Sequence, residues 1–362
     1  MPIVTSFIGH KRWSFGRFDN LPEHIGLVTG ASDAQSGSAS HQALLHRVRR
    51  GVHFVVAAAI VWVVILVIAG ILFSDQTAVA RFERAGPYIA AMTLVAFAAN
   101  HLLRFARWQW MLVRLGARVP TMASLAIFMA GLGLLPTPGK VGVAARSLLL
   151  MRHGVPIRMS LAAYFAERVF DLAGLLLLAA IFYRGPLSDG LTALAAAGVT
   201  CIALIARYPD RFVHALRRLV RRWPKFLMVV NATAGLLHAA RRLISLPQAL
   251  IFVLLGMVAN VVVGLLVWAV LGDLSASASV QTGIGAVAVA HLTGSASMAP
   301  GGLGGFEVAL MLDLEHTGVK REDALIVVTC ARMVTLWGGA IVGLPLLLSR
   351  LRRDRLERTT AA

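Results

Sequence analysis

The chain has 362 residues, 58% of them apolar and only 14% charged, with a mean hydropathy of +0.75. That composition excludes both a soluble single domain and a disordered chain and places the protein among membrane proteins. Thirty-five Lys and Arg against 17 Asp and Glu give a formal charge of +18, but the bases flank apolar runs instead of covering a water-facing surface, so no nucleic-acid partner is expected.

Residues 1–46 are mixed, with a GASDAQSGSAS patch ahead of Arg47, Arg49 and Arg50, and read as a loose cytoplasmic tail leading into a signal anchor. Residues 52–73 then carry no acid, Lys or Arg, and at ~1.5 Å per residue they reach about 33 Å, enough to cross a bilayer core. This run is too long and too apolar for a cleavable twin-arginine signal. Further spans are expected at 88–110, 160–182, 190–206, 248–271 and 322–349. Two other apolar stretches, 121–152 and 280–317, break near their middles, the first at Pro136, Pro138 and Gly139, the second at Pro300, Gly301, Gly302, Gly304 and Gly305. Each reads as two half-length helices joined at a bend, which membrane depth tolerates only where the bend is buried in protein or faces a wet cavity.

Loop charge sets the orientation, because short cytoplasmic loops are enriched in Lys and Arg. Arg114 and Arg118, the stretch 207–247 with its many arginines, and the tail with Arg350, Arg352, Arg353, Arg355 and Arg358 are assigned to the cytoplasm. The loops 74–87, 183–189 and 272–281 are nearly balanced and go outside. The expected arrangement is an all-α polytopic membrane protein with about six transmembrane helices plus two re-entrant hairpins. Both termini lie in the cytoplasm, with a membrane domain over 47–350 and a basic tail over 351–362.

The hairpins belong to an internal repeat. PGKVG from Pro138 matches PGGLG from Pro300, and 21 residues from Gly154 align with those from Gly318. In that alignment Gly154, Val155, Leu161, Arg168, Leu172 and Gly174 are identical to Gly318, Val319, Leu325, Arg332, Leu336 and Gly338. Three spans separate the copies, so they are expected to insert with opposite orientation. Inverted repeats with discontinuous helices place a substrate site near the midplane, where one half rocks against the other.

Ionisable residues at membrane depth cost several kcal/mol unless paired or hydrated, so each is a candidate for function. Glu167, Arg168 and Asp171 share one broad helix face by their spacing, as a structural ion network, as part of a site, or as both. Lys140 follows the first bend, where a helix start offers unpaired amides to an anion. With Gly139, Arg146 and Arg168 it suits a phosphate head group, although Lys140 and Arg146 are also long enough to snorkel to the surface. Glu307, the first charge after the second bend, either caps its half-helix, pairs with Arg332, or exchanges a proton during transport. Arg104, with Asn100 and His101 as polar company, is an accessory candidate.

No GK[ST], HExxH, GxSxG or Cys/His ligand spacing is present, so no cofactor, metal or catalytic residue is expected. Cys201 and Cys330 lie inside apolar runs and give no disulfide framework. Trp108 and Trp110, beside Arg104, Arg107 and Arg114, read as an interfacial belt. The basic stretch 211–242 reads as a surface helix attracted to anionic lipid, or to a partner protein.

In order, RFARWQWMLVRLG, LPTPGKVGVAARSLLL, AERVFDLAG and APGGLGGFE resemble the lysylphosphatidylglycerol synthase transmembrane region. This is the flippase-like domain shared by MprF, AglD-like, YbhN-type and HpnL-like proteins. The resemblance covers about residues 50–350 and implies a membrane protein that moves a polar lipid between leaflets. By motif match it points to Lys140, Arg146, Glu167, Arg168, Asp171, Gly301, Gly302, Gly304, Glu307 and Arg332. MprF proteins carry a soluble aminoacyl transferase domain after this region, whereas here the chain stops shortly after the last span, so synthesis of lysylphosphatidylglycerol is not expected of it alone. The family's PGG is PGK in the first copy, which puts an extra charge at Lys140.

The expected function is translocation of an anionic lipid, such as a phospholipid, a polyprenyl-phosphate glycolipid or a hopanoid lipid, across the inner membrane. Two rivals remain. One is a membrane enzyme or subunit of lipid glycosyl or aminoacyl transfer, for which the outside loops offer few bases beyond Asp75, Glu83, Asp189 and Asp273. The other is a non-transporting scaffold whose basic loop docks a lipid-modifying enzyme.

Overall fold

A computed structural model describes residues 50–64, 76–137, 141–219, 222, 245–274 and 278–360. The tail 1–46, the end of the first expected span, Gly139 and Lys140, and most of the basic stretch 211–242 lie outside the described residues. Every regular element within them is helical. In chain order these are α1 (Arg50–Val64), α2 (Gln76–Leu115), α3 (Thr121–Leu132), α4 (Val141–Met151), α5 (Ile157–Phe182), α6 (Ser188–Arg207), α7 (Pro209–Leu219), α8 (Leu246–Leu274) and α9 (Val280–Ala296). A single 3₁₀ turn at Pro300–Gly302 follows, then α10 (Gly305–His316), α11 (Arg321–Arg332), a π-helical turn at Met333–Trp337, and α12 (Gly338–Thr360).

Among the described residues three stretches are both long and apolar enough to cross a membrane: Gly86–Leu115 in α2, Pro247–Leu274 in α8, and Arg321–Arg352, which runs through the π turn. α8 shows the chemistry plainly. It buries Phe252, Val263, Val267 and Val270 while Leu250, Leu254 and Val258 stand exposed on its other side. A helix apolar all round is one that meets protein on one side and lipid on the other. α5 has 26 residues, about 39 Å, but its four charges set it apart. Residues 76–87, expected as a loop, instead open α2 and continue through Pro87. The sequence QTAVARFERA holds no turn-forming residue, and proline's fixed φ is itself helical, so the helix loses one hydrogen bond there without ending.

α3 and α4, of 12 and 11 residues, and α9 and α10, of 17 and 12, are each too short for a ~30 Å hydrocarbon core. Within each pair the two helices pack on each other. The first pair is rooted at the start of α5, where Ser147 and Ser160 share a buried hydrogen bond of 2.8 Å. The second is rooted at the far end of α5. There Ile284, Ala288 and Val289 pack on Leu175, Leu178, Ala179 and Tyr183, and a β-carbon on Gly285 would come within 2.9 Å of the Phe182 carbonyl oxygen. The bends of the two pairs approach one another at Pro136 and Gly301, the latter also lying against Leu336 of the π turn.

The turns that end the two pairs are alike. The amide of Val155 donates to Leu150 and that of Gly154 to Met151, at 3.3 and 3.0 Å; Val319 donates to Leu314 and Gly318 to Glu315, at 3.1 and 3.0 Å. Gly154 and Gly318 both have positive φ, +71° and +89°, the left-handed position that closes a helix and that side chains disfavour. Sequence identity at these positions is therefore a shared backbone requirement.

Candidate functional site

α2, α5 and α8 enclose a charged cluster that α4 closes. Glu167 and Asp171 stand one turn apart on α5, and Arg107, one turn after Arg104 on α2, reaches both. Its Nη2 lies 2.6 Å from Asp171 Oδ1 and 3.4 Å from Glu167 Oε1, and its Nη1 donates to the Phe252 carbonyl at 3.3 Å. Gly256 on α8 gives the guanidinium its space, since a β-carbon there would sit 2.5 Å from Arg107 Nη1. Arg104 donates to Asn100, Asp171 and Asn260 at 3.2 to 3.3 Å. Asn100 and Asn260 are themselves anchored to the Ala259 and Gly256 carbonyls. A buried charge is tolerated when its hydrogen bonds are met, and here Arg104 draws its partners from α2, α5 and α8.

Arg168 and Arg146 are held less fully. Arg168 Nη2 pairs with Asp171 at 2.9 Å and Glu167 at 3.3 Å, with 46% of its side chain exposed. Arg146 is buried, with its guanidinium over the rings of Trp108 and Phe128 at 4.6 and 4.7 Å. Its one ion contact, to Glu167, is 3.7 Å long, and its Nε has no hydrogen-bond partner. Four guanidiniums thus share two carboxylates among the described residues.

A second constellation sits at the bend between α9 and α10. Gly301, Gly302 and Gly304 have φ of +62°, +68° and +82°, and the carbonyls this turns inward are caught by Arg332. Its Nη1 donates to Gly301 O at 3.1 Å and its Nη2 to Gly302 O at 2.7 Å. The same guanidinium grips Glu307 with both ends, at 2.7 Å each, and Glu307 accepts from the Gly304 amide at 2.8 Å. With four of its five donors in use, the arginine is a clamp on the bend.

The family model for the lysylphosphatidylglycerol synthase TM region matches residues 44–343, more than four-fifths of the chain. The chain belongs to this family. A search of curated proteins finds no match. Membership in the lysylphosphatidylglycerol synthase TM family, together with the apolar helices, makes this a membrane protein linked to lipid handling.

Within this family member the expected site residues fall into two groups. Arg104, Arg146, Glu167, Arg168 and Asp171 come together between α2, α4, α5 and α8, while Gly301, Gly302, Gly304, Glu307 and Arg332 form the clamp. Gly139 and Lys140 lie outside the described residues. Arg107 is the residue that sequence reasoning missed. It was grouped with Trp108 in an interfacial belt, yet both are fully buried, because α2 turns this face toward α5 and α8. The available signal was spacing: Asn100, Arg104 and Arg107 fall on one face, complementary to the acids on α5. Among the described residues no group of three or more His, Cys, Asp or Glu is placed to hold a metal ion.

Proposed function

We propose that this protein moves an anionic polar lipid between the leaflets of the inner membrane, with the head group bound at Arg146 and Arg168. The observation that carries this reading is Arg146, a buried guanidinium with no hydrogen bond among the described residues, set in a cluster whose arginines outnumber its acids. A buried cation held only by a 3.7 Å ion contact and two ring faces is incompletely compensated, and a phosphate accepts from two arginine forks at once. Arg168 is open at its outer side, so a head group has a way in. Glu167 and Asp171 hold the arginines in place, with Arg104 as an accessory; Lys140, outside the described residues, stays a sequence-based candidate for the same anion.

The two short-helix pairs are read as re-entrant hairpins forming an inverted repeat, with α1, α2, α5, α6, α8 and α11–α12 as the six crossings. Support comes from their rooting at opposite ends of α5 and the approach of their bends at Pro136 and Gly301, as two hairpins entering from opposite faces would require. The glycines of the second bend and Arg332 then line the path between the halves, and Glu307 acts there as counter-charge. Loop charges favour cytoplasmic termini.

Purified protein reconstituted alone in vesicles tests the reading. Exchange of labelled anionic lipid between leaflets is the expected result, with loss of exchange in Arg146→Gln and Arg168→Gln proteins that still fold. Product formation from a lipid and a donor substrate would replace this reading with an enzyme, and neither activity would replace it with a scaffold.

A further inference from the structure

The net charge of the cluster bears on which anion fits. Arg104 and the terminal nitrogens of Arg107 are engaged inside the protein, by Asp171, Asn100, Asn260 and the Phe252 carbonyl. Once Glu167 and Asp171 are counted against all four arginines, two positive charges remain. They belong to the cluster as a whole, but Arg146, whose one ion contact is 3.7 Å long, and Arg168, which shares both acids with the other arginines and is 46% exposed, are the two with donors left for another anion. Several buried donors point the same way. Arg146, 7% exposed, leaves its Nε unpartnered, as do Arg107 at Nε and Trp108, under the Arg146 guanidinium, at its indole nitrogen. Gly131 makes room for this arrangement, because a β-carbon there would lie 2.8 Å from Arg146 Nε. Aromatic faces attract a cation but accept no strong hydrogen bond, so the site retains unused donors as well as unmatched charge.

Resting on the anionic-lipid reading above, we propose that the site is specific for a terminal phosphate bearing two negative charges, as in a phosphomonoester or diphosphate lipid, bridged between Arg146 and Arg168. A phosphodiester offers two free oxygens and a single charge, which leaves one guanidinium unmatched in a buried place. A terminal monoester carries about −1.5 to −2 at neutral pH and three strong acceptor oxygens. That matches both the surplus charge and two arginine forks.

The full chain in phosphatidylcholine nanodiscs, titrated at mildly alkaline pH with labelled short-chain phosphatidic acid or phosphatidylglycerol, tests this. Phosphatidic acid is expected to bind about tenfold more tightly or better, a gap of ~1.4 kcal/mol. Arg146→Gln is expected to erase most of that gap and Arg146→Lys to keep part of it. If Arg146→Gln does not fold, the comparison in the unaltered chain already decides. Equal binding of the two lipids overturns the two-charge assignment while leaving anionic-lipid binding in place. Binding of neither lipid, with no exchange of either in vesicles, overturns the anionic-lipid reading as well. Displacement of phosphatidic acid by inorganic phosphate at equal concentration overturns the lipid as ligand and identifies a free anion.

Discussion

Gly256 of α8 lies against the guanidinium of Arg107, with no room for a β-carbon between them, since such an atom would sit 2.5 Å from Nη1 and 3.2 Å from Asp171 Oδ1. Arg107 cannot yield easily, because it is wholly buried and bound to three acceptors on two helices. Gly256→Ala gains helix propensity of up to ~1 kcal/mol but pushes the guanidinium off its carboxylate. We expect a net loss of about 1–3 kcal/mol, larger for Gly256→Val, measured as a lower thermal midpoint in detergent. A midpoint unchanged or raised in Gly256→Ala would mean that Arg107 is mobile.

The two acids of the cluster are unequal. Asp171 takes contacts of 2.6, 2.9 and 3.2 Å from three arginines, whereas the contacts to Glu167 run from 3.3 to 3.7 Å. Breaking a buried pair by neutralising one partner costs about 3–5 kcal/mol. Asp171→Asn is expected to fall in that range and Glu167→Gln clearly below it. The reverse order in chemical denaturation would show that Glu167, not Asp171, anchors the arginines.

At the second bend, Arg332 spends four of its donors on Glu307 and the Gly301 and Gly302 carbonyls. A lysine keeps the charge but lacks the planar fork that reaches all of these at once. Arg332→Lys should therefore destabilise nearly as much as Arg332→Gln. In a double-mutant cycle, Arg332→Gln and Glu307→Gln are expected to couple by about 1–3 kcal/mol. Additive losses would show that the two side chains act separately and that the bend is held by its glycines alone.

Much of this was legible beforehand because membrane helices advertise themselves by length and apolarity, and because buried charges in such helices are rare enough to stand out. Glu167, Arg168 and Asp171 declared a shared face by their spacing, and Glu307 and Arg332 were an open pairing. Arg107 and Trp108 were misplaced for a physical reason. An Arg-Trp pair near the end of an apolar run has the same local composition at a membrane interface as in a polar core, and only the packing of α2 on α5 and α8 decides between them. Gly131 and Gly256 were silent for a related reason, as a glycine that makes room for an arginine on another helix carries no local mark. The start of α2 carries no local mark either, because balanced charge suits a surface loop and an exposed helix alike while QTAVARFERA consists mostly of good helix formers.

The rooting of the two hairpins at opposite ends of α5 leads to a labelling test of their orientation. Arg118, just before α3, and Gln281, in the first turn of α9, are both exposed. The native thiols, Cys201 exposed and Cys330 buried, are first removed as Cys201→Ser and Cys330→Ala. In that background Arg118→Cys is expected to react with a membrane-impermeant maleimide only after the cells are opened, and Gln281→Cys in intact cells. Opposite insertion, with α5 as a crossing between the two roots as proposed above, requires this split. Reaction of both thiols from the same side would remove the inverted arrangement, and with it the reason for running a lipid path past the point where Pro136 and Gly301 meet.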